Sequence, residues 1–202
     1  MGESRDTLLP VGTPLGFFSM LTASPLGREV AEIRHGTRRL QLAPDLYGFW
    51  SQIASLGNRA AVSEWARAQG VANADGALSD LLEAGLVIEL GLSPELDLQA
   101  LSKHRLLPMG YGLGNTPEAR GVFHVADQRG QSLYSMSGFT FGVWSLSDGH
   151  MSVRQACEAA ARLFAVDLGQ AMKGIAEELA GIVVSGAGLL DAIPDVPSEP
   201  VS

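Results

Sequence analysis

The chain repeats itself, and a repeat dictates the architecture before any single residue is considered. A displacement of 94 residues carries Gly36 onto Gly130, Gly48 onto Gly142, Trp50 onto Trp144, Ser51 onto Ser145, Glu64 onto Glu158 and Ala66 onto Ala160 without a gap. Leu40 falls on Tyr134, Leu42 on Met136, Tyr47 on Phe141 and Val62 on Ala156 in the same register. The paired strings Tyr47-Gly-Phe-Trp-Ser51 and Phe141-Gly-Val-Trp-Ser145 carry most of the signal, because Gly and Ala are common enough here to match by chance. Further on, Ala84-Gly85-Leu86-Val87 aligns with Ala187-Gly188-Leu189-Leu190 at a displacement of 103, so nine extra residues are expected in a longer last helix of the second copy.

Each copy opens on a hairpin pattern. In the first, residues 30–35 turn at Gly36 into 38–43, where Leu40 and Leu42 alternate with Arg39 and Gln41; in the second, residues 122–126 turn through Gln128-Arg-Gly130 into 132–136. Helical spacing follows. Val153, Ala156, Cys157, Ala160 and Phe164 mark one face behind Ser152 as N-cap, with Val62, Trp65, Ala66 and Gln69 as the shorter counterpart. The last helices are expected over 77–84, with Leu78, Leu81 and Leu82 inward, and over 168–185, with Leu168, Met172, Ile175, Leu179 and Ile182 inward; glycine ends both, Gly85 in one and Gly186 or Gly188 in the other. Trp50 and Trp144 are read as core anchors starting the first helix of each copy.

The expected fold class is therefore α+β: two tandem winged-helix-like modules, each a small antiparallel β-sheet followed by three helices. The first module with its N-terminal extension spans 1–92. A helix capped by Ser93 and a Gly/Pro-rich connector span 93–117, the second module 118–192, and a proline-rich acidic tail expected to lack structure 193–202. The connector's Leu98, Leu101, Leu106 and Leu107 could let both copies share one core.

Charge narrows the function. The net charge is −8, and both halves share it: residues 1–100 carry 7 basic and 12 acidic side chains, residues 101–202 carry 7 and 10. Neither half suits a phosphate backbone. The would-be recognition helix offers Gln170 and Lys173 against Glu177 and Glu178, and its counterpart only Asp80 and Glu83. One basic cluster, Arg34, His35, Arg38 and Arg39, stands on the first hairpin, as a solvated face or as a contact for an acidic peptide. No apolar run is long enough to span a membrane. The patch Leu15–Leu21 is short and preceded by Glu3 and Asp6, unlike a secretory signal, and one cysteine fits a reducing compartment, so a cytoplasmic location is expected.

Catalytic chemistry finds little purchase. His35, His104, His124 and His150 have no metal-ligand spacing, Cys157 falls on a buried face without a local histidine, and Gly110-Tyr-Gly112-Leu-Gly114 lacks the spacing and lysine of a phosphate loop and reads as a flexible linker. No catalytic residue, cofactor or metal is expected, and the chain is read as not an enzyme.

The second copy resembles a known family. Tyr134-Ser-Met-Ser-Gly-Phe-Thr-Phe-Gly-Val-Trp-Ser-Leu-Ser-Asp148-Gly149, then the helix from Ser152 to Phe164, then a long helix with the exit Gly188-Leu189-Leu190, resembles the PqqD-like peptide-recognition elements of ribosomal peptide natural-product pathways. The likeness covers about 70 residues by hydrophobic pattern. The first copy departs from it, with Ala54-Ser55 in place of Asp148-Gly149 and a short last helix.

The resemblance implies a protein that holds the leader of a precursor peptide and presents the rest to a peptide-modifying enzyme. The peptide would add to a sheet edge beside a helix. It would lie along Ser132, Leu133, Tyr134, Ser135 and Met136 against Lys173, Ile175 and Leu179; the counterpart in the first copy lies between the strand with Arg38, Arg39, Leu40 and Leu42 and the helix with Leu78 and Leu81. A homodimer is compatible with this reading. The competing readings are a non-catalytic scaffold or assembly subunit of a biosynthetic complex and, with the weakest support, a winged-helix DNA regulator.

Overall fold

A computed structural model of the chain describes residues 6–20, 28–71 and 73–194. Strands β1 (Thr7–Pro10), β2 (Thr13–Met20), β3 (Arg28–His35) and β4 (Arg38–Leu42) lead into helices α1 (Pro44–Leu56), α2 (Arg59–Ala68) and α3 (Ala74–Glu83), and β5 (Val87–Leu90) closes the first module. After α4 (Pro94–Lys103) the order recurs as β6 (His104–Pro108), β7 (Tyr111–Thr116), β8 (Ala119–Ala126), β9 (Ser132–Ser137), α5 (Gly138–Leu146), α6 (Val153–Phe164), α7 (Leu168–Val184) and β10 (Gly188–Ala192). The fold is α+β, two tandem modules that each carry a sheet followed by three helices. The expected tail lies mostly outside the described residues, which end at Pro194.

Each module holds a three-stranded antiparallel sheet, β2-β3-β4 or β7-β8-β9, and a two-stranded one joining its first and last strands, β1-β5 or β6-β10. The two-stranded sheets rest on a motif that escapes the 94-residue register. Leu8-Leu9-Pro10-Val11-Gly12 recurs 98 residues later as Leu106-Leu107-Pro108-Met109-Gly110. Pro10 stands opposite Val87 and Pro108 opposite Gly188. The next residue donates its N–H to the carbonyl that follows the helix-ending glycine: Val11 to Leu86 at 2.8 Å, Met109 to Ala187 at 2.9 Å. Gly12 and Gly110 then turn at φ +113° and +97°, each with a backbone carbonyl where a Cβ would sit. Only glycine fits such a reversal.

The segment 106–117, expected as a flexible connector, thus belongs to two strands of the second module, the end of β6 and the whole of β7. Its glycines misled: they serve turns and close approaches, as at Gly112, where a Cβ would strike the Phe141 ring. Likewise the apolar patch from Leu15 contributes β2, a strand added to the expected hairpin, while Leu21 lies outside the described residues.

Two further expectations are corrected. The tryptophans sit inside α1 and near the end of α5 rather than at helix starts, although both are core anchors, 3% and 6% exposed. Each indole N–H donates to the carbonyl behind the last helix, Trp50 to Leu86 at 2.9 Å and Trp144 to Ala187 at 2.8 Å. These bonds pair Leu86 with Ala187 and Gly85 (φ +70°) with Gly186 (φ +74°), so the closing displacement is 101, not 103. Gly188 instead begins β10, where a Cβ would crowd Ile182 and Leu106.

Helix α6 has the capping box of Ser152 and Gln155, and Val153, Ala156, Cys157 and Ala160 are fully buried. Phe164, expected on that face, is 46% exposed because the helix ends beside it at Ala165, in the left-handed conformation; its ring lies over Gly142. Asp148-Gly149 forms the turn between α5 and α6, with Asp148 accepting the N–H of His150 at 2.8 Å. The first module needs no such turn because α1 runs through Ala54-Ser55 to Leu56.

The modules share a core. One cluster joins Leu9, Val11, Ile88 and Leu90 of the first module to Leu101 of α4, Leu106 of β6 and Ile175 and Leu179 of α7. A second cluster around Phe49, Trp50, Leu78 and Leu81 belongs to the first module alone. Backbone bonding crosses too, Gly12 N–H donating to Leu190 at 2.7 Å. Asp191, fully buried, accepts the N–H of Gly36 at 2.7 Å and pairs with Arg105 at 2.7 Å, while Arg105 also donates to the Gly149 carbonyl at 2.6 Å.

Candidate functional site

β9 lies at the edge of its sheet, paired only to β8, and α7 runs beside it. Val122 stands opposite Ser137 and His124 opposite Ser135. The Ser137 N–H points away from β8 and donates to the Glu178 carboxylate on α7 at 3.2 Å. In an antiparallel ladder the outward direction recurs every second residue, so Ser135 turns its N–H and C=O to the same side. Ser132 and Ser135 are exposed, Leu133 and Tyr134 half-buried, and Met136 is buried in the core. On the sheet's opposite side, the Ser135 hydroxyl meets Nδ1 of His124 at 2.8 Å.

Tyr134 reaches from β9 to α7, its ring lying where a Cβ on Gly181 would sit. Burial, reinforced by Glu178, pushes the Tyr134 phenol above its ordinary value, so it is a neutral donor at physiological pH. Glu178 and Gly181 were not among the expected site residues. Gly181 left a signal, since a glycine within an apolar helical run usually has a packing reason.

The α7 residues expected to face a peptide divide otherwise. Ile175 and Leu179 are fully buried and hold the shared core, so they present nothing to a ligand; Ile175→Asp or Leu179→Asp would report on folding. Lys173 is exposed on the flank facing α4 rather than β9. In the first module Leu78 and Leu81 are likewise interior, at 2% and 1% exposure. The spacing that puts such residues on one helix face does not distinguish a core from a groove. Arg38 and Arg39 are exposed and Leu40 and Leu42 half-buried on β4, also an edge strand.

Three of the four residues of the basic cluster have partners within the fold. Arg34 donates to the Thr13 hydroxyl at 3.2 Å, His35 Nε2 to the Gly85 carbonyl at 3.2 Å, and Arg39 lies 3.9 Å from Glu32. Burial pushes the Cys157 thiol up to about 12, which keeps it protonated and unreactive. Among the described residues no group of three or more His, Cys, Asp or Glu side chains could hold a metal ion, and no helix is long and apolar enough to cross a membrane. Comparisons of the chain with protein-family models, curated proteins and solved structures returned no significant match.

Proposed function

We propose that this chain is a non-catalytic peptide-binding protein whose second module holds the leader of a ribosomally made precursor peptide along β9 and presents the remainder to a modifying enzyme of natural-product biosynthesis. The observation that carries the reading is the Ser137 N–H, which already takes an oxygen from across the β9–α7 gap. An extended peptide supplies such oxygens at every second residue, so its carbonyls would continue that line along Ser135. Side chains of the peptide would then meet the half-buried Leu133 and Tyr134 of β9. The resemblance of residues 134–149 to PqqD-like elements supports the same reading, as does the acidic character of the module against a nucleic-acid partner. A cytoplasmic location belongs with it, in keeping with a lone unpaired thiol.

The first module suits a supporting part. Its last helix has 10 residues against 17 in α7, and its β1-β5 sheet packs into the common core. That favours, as a second reading, a scaffold role for this half within a biosynthetic assembly.

A display selection tests the proposal: extended random peptides are panned against the protein, and retained sequences are titrated against wild type and Ser135→Pro. Recovery of a peptide family whose binding needs the Ser135 N–H supports strand addition at β9. Failure to retain any peptide, or retention indifferent to Ser135→Pro, contradicts it.

A further inference from the structure

On the far side of α7 a groove of about 1080 Å³ opens between α4 and α7. Leu98, Leu168, Met172 and Ala176 contribute apolar surface to it, and Leu92 stands at its lip, 49% exposed. An apolar concavity beside a protruding leucine marks a surface that gains by being covered. The rim decides what covers it. Lys173 and Glu177 both line the groove one helical turn apart on α7, both exposed, and neither has an ion-pair or hydrogen-bond partner among the described residues.

We propose that this groove is a self-association surface at which two copies of the chain meet about a two-fold axis. An isologous interface requires that one patch contain both halves of every contact, so that residue i of one copy meets j of the other and j meets i. The patch meets that condition twice. It carries a knob, Leu92, and the hollow to receive it, and both signs of charge at a spacing that lets antiparallel α7 helices oppose Lys173 of each copy to Glu177 of the second copy. A foreign partner needs only one half of each complement; the presence of both halves favours a second copy. This surface is distinct from the β9 edge and stands without the peptide reading.

The test uses the full chain in sedimentation velocity over micromolar concentrations, with circular dichroism to confirm folding of each variant. The wild type is expected to form a dimer in a concentration-dependent way. Lys173→Glu alone and Glu177→Lys alone each place like charges across the axis and should weaken it by about tenfold. Mixing the two variants restores opposite charges at both contacts and should give a heterodimer tighter than either homodimer. Leu92→Asp should abolish association. A wild type that stays monomeric overturns the proposal, as does a dimer indifferent to both charge reversals and to Leu92→Asp, or a mixture that associates no better than its components.

Discussion

Asp191, on the closing strand of the second module, accepts the backbone N–H of Gly36, in the first module's hairpin turn, at 2.7 Å. Its other oxygen pairs with Arg105, also at 2.7 Å, and the carboxylate is wholly removed from solvent. A buried carboxylate tolerates that position only because both oxygens are satisfied. We therefore expect Asp191→Ala to destabilise the protein by about 3–5 kcal/mol, since it strands the Arg105 guanidinium and an N–H together. Urea unfolding measures the loss. The double variant Asp191→Ala with Arg105→Met should recover part of it, whereas additive losses would mean that the pair is not coupled.

The two indole bonds make a second prediction. Trp50→Phe and Trp144→Phe each remove the N–H that satisfies a buried carbonyl, Leu86 or Ala187, and leave a void where the indole packed. A loss of about 2–4 kcal/mol is expected for each, from an unpaired acceptor and lost packing. Similar losses at both positions, read from denaturant midpoints, would reflect their equivalence in the repeat; a loss at one only would contradict it.

Acid should weaken the junction through His104. The ring is buried and donates Nδ1–H to the Ala100 carbonyl at 2.7 Å. Burial holds the imidazole below its ordinary 6.5, with His35 and Lys103 acting the same way against the opposing pull of the Ala100 bond and Asp191. The folded protein thus binds fewer protons at this site than the unfolded chain does. Its contribution is complete above pH 6.5, the unfolded value, and is lost as pH falls through that value toward the folded one. His104→Gln should flatten the stability profile across that window, and an unchanged slope would assign the acid sensitivity elsewhere.

Cys157 should behave as a core residue. With its thiol at about 12 and no exposed surface, it should resist a disulfide reagent in the native state and react at once in denaturant. Prompt labelling of the folded protein would show that α6 opens.

The sequence made the paired tryptophans, the Ser152 cap and the α6 face legible because aromatics are sparse and helical spacing is strict. It hid the Leu-Leu-Pro-x-Gly strands, because a change of displacement from 94 to 98 separates them from the rest of the repeat and five residues are too few to find unaided. β7 was obscured for another reason: Gly110, Gly112 and Gly114 have the composition of a linker, and the strand is largely exposed and held by its pairing with β8, so it carries no apolar alternation to read. Of the candidate site, the strand at Ser132 to Met136 was readable from the hairpin pattern around Gly130, and its choice as a peptide edge came from the resemblance. Its helical wall was not, because α7 is covered on several sides and its periodicity marks Ile175 and Leu179 without saying what covers them.

Calorimetric titration of a selected peptide against the wild type, Ser135→Pro and Lys173→Ala tests the central proposal most directly. An edge strand can lose one outward N–H without losing its own pairing, so Ser135→Pro should fold yet bind about tenfold or more weakly. Lys173→Ala, on the opposite flank of α7, should bind as the wild type does. Equal affinity for the wild type and Ser135→Pro, or loss confined to Lys173→Ala, would contradict peptide binding along β9.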